Sequence, residues 1–221
     1  MASILKLAVT PEQVTTTSLE AFQAYARGRA VLISDSSLDP KPFFQRATEL
    51  DPNFALAYRW LGNMYCNDGE FGRCAEYLKK AFALVDRVSE RERLEISARY
   101  YYQGTGELTK AADTYQLLAR TYPRDPFLPN VLGLIYEFTG DWEKALPEFQ
   151  EAIALEPRFH FAYHHQMTMY SFLDRFDEAK AVAEKAFAQK IDNSGIRQIV
   201  EIRDRRTGCW GLEIQLFNEL T

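Results

Sequence analysis

The stretch GDWEKALPEFQEAIALEP, residues 140–157, reads as a single helix. Glycine precedes it, proline closes it, and Ala145 and Ala152 stand seven residues apart among bulky side chains. A helix that only had to bury one face would favour leucine at both positions, since leucine fills a core and is a strong helix former. Alanine there implies a neighbour that comes very close. Pro147 lies inside the same stretch and removes one backbone donor, so a slight bend is expected.

The pattern recurs along the chain. Gly69-Glu70-Phe71, Gly106-Glu107-Leu108, Gly140-Asp141-Trp142 and Asp174-Arg175-Phe176 begin 37, 34 and 34 residues apart. A tyrosine precedes each, at Tyr65, Tyr102, Tyr136 and Tyr170, and small residues follow at Cys74, Ala111, Ala145 and Ala179. A period of 34 that carries two helical patterns and a turn is the signature of a stacked helix-turn-helix array, in which no unit buries its apolar face alone. Start signals agree. Thr17-Ser18-Leu19-Glu20 and Ser89-Glu90-Arg91-Glu92 have capping-box spacing, and Asp39-Pro40 and Asp125-Pro126 pair a cap with a first-turn proline.

YRWLGNMY (58–65) and PNVLGLIY (129–136) resemble the first helix of a tetratricopeptide repeat (TPR), while GRCAEYLKKAFAL and EKALPEFQEAIALEP resemble its second. The resemblance implies an all-α, right-handed TPR superhelix. It places five repeats over residues 21–193, starting at Ala21, Ala55, Glu92, Pro126 and His160, with three extra residues near Arg87-Val88-Ser89. The alanines then have a reason: paired helices must approach to roughly 8–10 Å. Gly62 and Gly133 on first helices are expected to face the Cys74 and Ala145 positions on second helices. Residues 194–221 read as a degenerate sixth repeat or cap, with Trp210, Leu212, Leu216 and Phe217 offering an alternative surface for self-association as a homodimer. Residues 1–20 form a lead-in resembling the segments before TPR regions of bacterial serine/threonine kinase-type signalling proteins, although no kinase motif accompanies it.

Composition narrows the function classes. A net charge of −5 argues against a general nucleic-acid binder, and no apolar run reaches the roughly 20 residues of a membrane helix. The three cysteines, Cys66, Cys74 and Cys209, form no Cys-x-x-Cys pair and read as reduced thiols in a cytoplasmic protein. His160 and His164 are spaced as zinc ligands can be, but no third ligand stands nearby, so neither metal nor cofactor is expected. No nucleophile–base pair or phosphate loop is placed for catalysis.

What the resemblance implies about binding is more specific. First helices line the inner face of a TPR array, and their second, fifth, ninth and twelfth positions point into it. The candidate peptide-binding residues are Tyr25, Arg29, Arg59, Asn63, Arg93, Tyr100, Asn130 and His164. One arginine per repeat at Arg29, Arg59 and Arg93 suits an acidic extended peptide or a terminal carboxylate. Equally, the arginines could solvate the groove or pair with acids on the next helix. The family's carboxylate clamp is matched only by Arg59 and Asn63, because Ser97, Phe127 and Val131 stand at its other positions. The expectation is a non-enzymatic scaffold for a protein or peptide. A regulatory module beside a bacterial kinase and an oligomerisation module are the alternatives.

Overall fold

A computed structural model describes residues 15–33, 38–189 and 191; the lead-in before Thr15, the proposed terminal cap and Cys209 lie outside them. The described residues form ten α-helices and no strand. They divide into two compact units, residues 1–118 and 119–221, with the division falling inside α6. The first holds α1 (Leu19–Ile33), α2 (Lys41–Leu50), α3 (Ala55–Asn67), α4 (Phe71–Phe82), α5 (Glu90–Arg99) and most of α6 (Leu108–Thr121). The second holds α7 (Phe127–Thr139), α8 (Trp142–Leu155), α9 (His160–Phe172) and α10 (Phe176–Ala188).

Local signals set the helix ends. Ser89 caps α5 through a complete capping box with Glu92, and the same carboxylate accepts from the Thr15 amide at 2.7 Å. At α1 the cap is Ser18, one residue later than the Thr17 spacing implies, with Ala21 N–H donating to its Oγ at 3.1 Å. Asp39 and Asp125 accept from Lys41 N–H and Phe127 N–H at 3.0 and 3.1 Å, which fixes the entries beside Pro40 and Pro126. The tight turns inside the pairs need left-handed backbone. Gly69, Gly106 and Gly140 have φ of 76°, 71° and 77° there, and Asp174 takes the same place at 54°. Glycine adopts that region without steric cost, whereas aspartate tolerates it.

The close approach is real, but its geometry is more asymmetric than small-against-small. A Cβ built on Gly62 would lie 2.7 Å from Leu78 Cγ, and one on Gly133 would lie 2.5 Å from Phe149 Cε1. A Cβ on Gly28 would lie 2.9 Å from the Phe44 ring in the same sense. Each glycine is therefore a hole filled by a bulky residue of the second helix. In the Gly62 and Gly133 pairs that residue lies one turn beyond the expected partner: Leu78 follows Cys74, and Phe149 follows Ala145. Cys74, Ala145 and Ala152 are fully buried as well, because a larger residue there would press on the neighbouring helix. Pro147 is exposed, so its missing donor faces solvent, and α8 runs through it as one helix.

Two features depart from the sequence reading. Cys66 and Cys74 are joined as a disulfide across α3 and α4, not held as separate thiols. Their Cα atoms stand 5.0 Å apart because the helical hairpin folds positions eight residues apart onto each other. Part of the extra length expected at the end of the second repeat also lies within the first helix of the third. A short 3₁₀ turn covers Val85–Arg87, α5 begins at Glu90, and Tyr100–Thr105 continues as π-helix before the left-handed Gly106.

Candidate functional site

In the N-terminal unit, side chains from α1, α2 and α3 converge on Trp60, and Glu95 of α5 reaches Arg59 beside it. The Arg29 guanidinium lies 4.2 Å from the indole centroid and that of Arg59 lies 4.6 Å from it. Phe44 stacks on Trp60 with 11° between the ring planes, and the indole N–H donates to Tyr25 Oη at 3.2 Å. The indole is thereby held at its polar atom and by a stacked ring. It forms a fixed platform for cations, which are attracted to the negative face of its π system.

Arg59 and Arg99 are poorly matched by acceptors among the described residues. Arg59 has a side chain only 12% exposed, and its Nη2 reaches Glu95 Oε2 at 3.9 Å. Its Nε and Nη1 are buried without a hydrogen-bond partner among the described residues. Glu95 is engaged more closely by Arg91 Nε, at 2.9 Å. Arg99 follows Glu95 by four residues and so shares its helix face. Its Nε is also buried and unpartnered. Burial pulls the Arg99 guanidinium below its ordinary value and the neighbouring Arg59 charge adds to this, opposed by Tyr115, Tyr102 and Glu95. Burial likewise pushes the Tyr25 hydroxyl up, so it stays neutral and offers the cluster no counter-charge.

The candidate residues are thus divided. Tyr25, Arg29 and Arg59 come together around Trp60, and Asn63 lies half-buried one turn beyond Arg59 on α3. Arg93 is outside the cluster, with a side chain 49% exposed and 3.7 Å from Glu90 on its own helix. Tyr100 is a packing residue: its ring stacks on Phe82 with centroids 4.3 Å apart.

Sequence counting missed Trp60, Glu95 and Arg99. A signal for Arg99 existed. Seven residues before the four turn positions stand Gly62, Arg99, Gly133 and Met167. Where Gly62 and Gly133 form holes too small for a methyl group and Met167 is a buried apolar side chain, the third repeat has an arginine. The π-helical stretch begins at the next residue, Tyr100. Wider turns of this kind are often found where a helix has been adapted to a site.

The C-terminal unit has a different surface. Asn130 is 6% exposed with its Oδ1 unpartnered. His165 Nδ1 lies 2.9 Å from Glu137 Oε2, and the imidazole stacks on Phe149. His164 meets His165 edge-on, with ring centroids 5.1 Å apart, and His160 packs on Phe161 at 4.0 Å. Burial holds the His164 imidazole below its ordinary value, with the neighbouring His165 charge next in effect. Burial does the same to His160. Among the described residues, no three His, Cys, Asp or Glu side chains are grouped to hold a metal ion. No described helix is long and apolar enough to cross a membrane.

Tetratricopeptide repeats are detected at residues 43–76 and 130–159. Anaphase-promoting complex subunit 3 of Schizosaccharomyces pombe is 24% identical, over 68% of this chain and 22% of its own length. Tetratricopeptide repeat protein 6 of Homo sapiens is also 24% identical, over 65% of this chain and 34% of its own. The chain therefore spans between about a fifth and a third of these relatives. Among solved structures, a thermophilic TPR protein of Thermus thermophilus matches with 27% identity and a TM-score of 0.57, covering 80% of this chain and 91% of that one. The anaphase-promoting complex Cut9–Hcn1 hetero-tetramer matches with a TM-score of 0.60 at 17% identity, covering 85% of this chain and 37% of the other. The chain is an all-α protein carrying tetratricopeptide repeats, and its structural neighbours are TPR solenoids. Proteins of this class are in general interaction scaffolds without enzymatic activity of their own.

Proposed function

We propose that this chain is a non-enzymatic scaffold that holds an acidic protein or peptide segment against α1, α3 and α5 of its N-terminal unit. The observation that carries this reading is Arg59, a buried guanidinium with two nitrogens unpartnered and a carboxylate no nearer than 3.9 Å among the described residues. Buried polar groups are almost always hydrogen-bonded, and leaving one unpaired costs about 1–3 kcal/mol, more when it is charged. An incoming carboxylate would accept from a guanidinium edge while the opposite face stays on Trp60. Such contacts are charge-assisted, and bidentate geometry adds specificity. The same arrangement explains why arginine suits these positions: a lysine could neither stack on the indole nor fork to an oxyanion.

The test is binding of the purified chain to an array of acidic, neutral and basic peptides, repeated with Arg59→Glu. Acidic peptides are expected to bind the wild type and to lose at least about tenfold in the variant, since a buried charge pair is worth about 2–5 kcal/mol when truncated. Acidic binding unchanged by Arg59→Glu would remove this face as the site.

A further inference from the structure

We propose that the partner segment is recognised through a phosphomonoester, a phosphoserine or phosphothreonine, bound between Arg59 and Arg99 beside Trp60. The proposal rests on the peptide-binding reading and adds the chemical class of the group that fills the site.

Charge decides between the two acidic groups a peptide can offer. Arg59 and Arg99 each bring a guanidinium with buried nitrogen that is unpartnered among the described residues. Glu95 is the carboxylate within ion-pair reach of Arg59, and it is already held by Arg91 at 2.9 Å. Tyr25, the other ionisable group against the platform, is kept neutral by its burial. Arg29 adds a third guanidinium on the same indole. A carboxylate would neutralise only one of the Arg59 and Arg99 charges. A phosphomonoester carries about −1.5 to −2 at neutral pH and three acceptor oxygens, so it can serve two guanidinium groups at once. The dianion suits this site better than the monoanion.

Position supports the same conclusion. Arg59 lies on α3 and Arg99 on α5, so a group held by both would bridge neighbouring first helices. Arg99 also occupies the repeat position that is glycine in Gly62 and Gly133, at the start of the π-helical stretch. Uncharged packing residues stand at the equivalent places before Gly69, Gly140 and Asp174 (Gly62, Gly133 and the buried Met167), and this position could have kept one. Instead it holds a buried cation whose Nε has no hydrogen-bond partner among the described residues, an arrangement that costs stability unless an anion completes it. Nucleic acid is the less suitable phosphate source, because its diesters carry one charge per phosphate and the chain's net charge of −5 repels a polyanion.

The experiment titrates the full chain with phenyl phosphate and with benzoate, following the arginine Nε–H resonances by NMR. Phenyl phosphate is expected to bind about tenfold or more tighter than benzoate and to shift the Arg59 and Arg99 resonances together. Arg99→Lys keeps the charge but loses the fork, and should reduce that preference to less than about threefold. Should Arg99→Lys fail to fold, the wild-type resonances alone decide the matter. Equal affinity for the two probes, or shifts that omit Arg99, would overturn the proposal. Displacement of phenyl phosphate by a single-stranded oligonucleotide at lower concentration than by a phosphoserine peptide would also overturn it. If unphosphorylated acidic peptides bind, lose affinity in Arg59→Glu and are not displaced by phenyl phosphate, the acidic-peptide reading stands and the phosphate reading fails.

Discussion

Seven residues before its left-handed turn, α3 carries Gly62 and α7 carries Gly133, whereas the third repeat carries Arg99. The first two positions are holes. Leu78 and Phe149 enter them so closely that a single added carbon would lie 2.7 and 2.5 Å from its neighbour. The third position presents a charge, and the helix widens into a π-turn immediately after it. Equivalent places in a repeat can thus serve opposite ends: two are holes that hold a helix pair shut, the place before Asp174 is filled by the buried Met167, and one carries a buried cation. A repeat array can absorb the loss locally, because each unit is stabilised mainly by its immediate neighbours.

The contrast can be broken most directly at Phe149. Phe149→Ala should lower unfolding free energy by about 3–5 kcal/mol, measured by urea denaturation, because it empties a fully buried position against Gly133. In that background Gly133→Ala should raise stability, by up to about 1 kcal/mol, from alanine's better helix propensity. The same change in the wild type should lower stability. A Gly133→Ala effect of equal sign in both backgrounds would mean the hole is not what glycine provides.

Next in size, Gly62→Leu should cost about 1–3 kcal/mol by overpacking Leu78. Arg99→Leu should change thermal stability by less than about 1 kcal/mol, or raise it, since replacing a buried uncompensated charge with an apolar group removes a desolvation cost. A loss at Arg99 as large as that at Gly62 would erase the difference between the two positions. It would mean that the arginine is itself part of the packing.

The smallest effect is expected in the C-terminal unit as pH falls. Burial depresses the folded-state values of His160 and His164 from the ordinary 6.5. The unfolded chain therefore takes up protons before the folded one does. The contribution of both imidazoles is intact above about pH 6.5 and is lost as pH falls towards their folded values. His164→Gln should flatten the decline in melting temperature from about pH 6.5 downwards relative to wild type. Parallel curves for the two proteins would show that burial does not bias this imidazole.

Much of this architecture was legible in the residues. The spacing of Gly69, Gly106, Gly140 and Asp174 located the turns, because a left-handed residue recurring every 34 to 37 residues has few other meanings. Ser89 with Glu92 located the start of α5, because capping is a local interaction that needs no distant partner. Arg29 and Arg59 were found by position within the repeat. Arg93 and Tyr100 were named by the same count, and they lie elsewhere because the third repeat shifts its register within the first helix. The π-turn responsible is a compromise among neighbouring side chains, which a count along the chain does not contain.

Sequence alone therefore determined the periodic parts of this protein: helix pairs, turns, caps and the small residues at each crossing. These depend on contacts within one turn or one repeat, so they are written in the spacing. Tertiary structure decided the rest. It brought Cys66 and Cys74 to 5.0 Å across a hairpin, moved the glycine partners one turn on to Leu78 and Phe149, and set Arg59 on Trp60 within 3.9 Å of Glu95. Each of these outcomes depends on how two helices rotate against each other, and that rotation is fixed only when all their side chains pack at once.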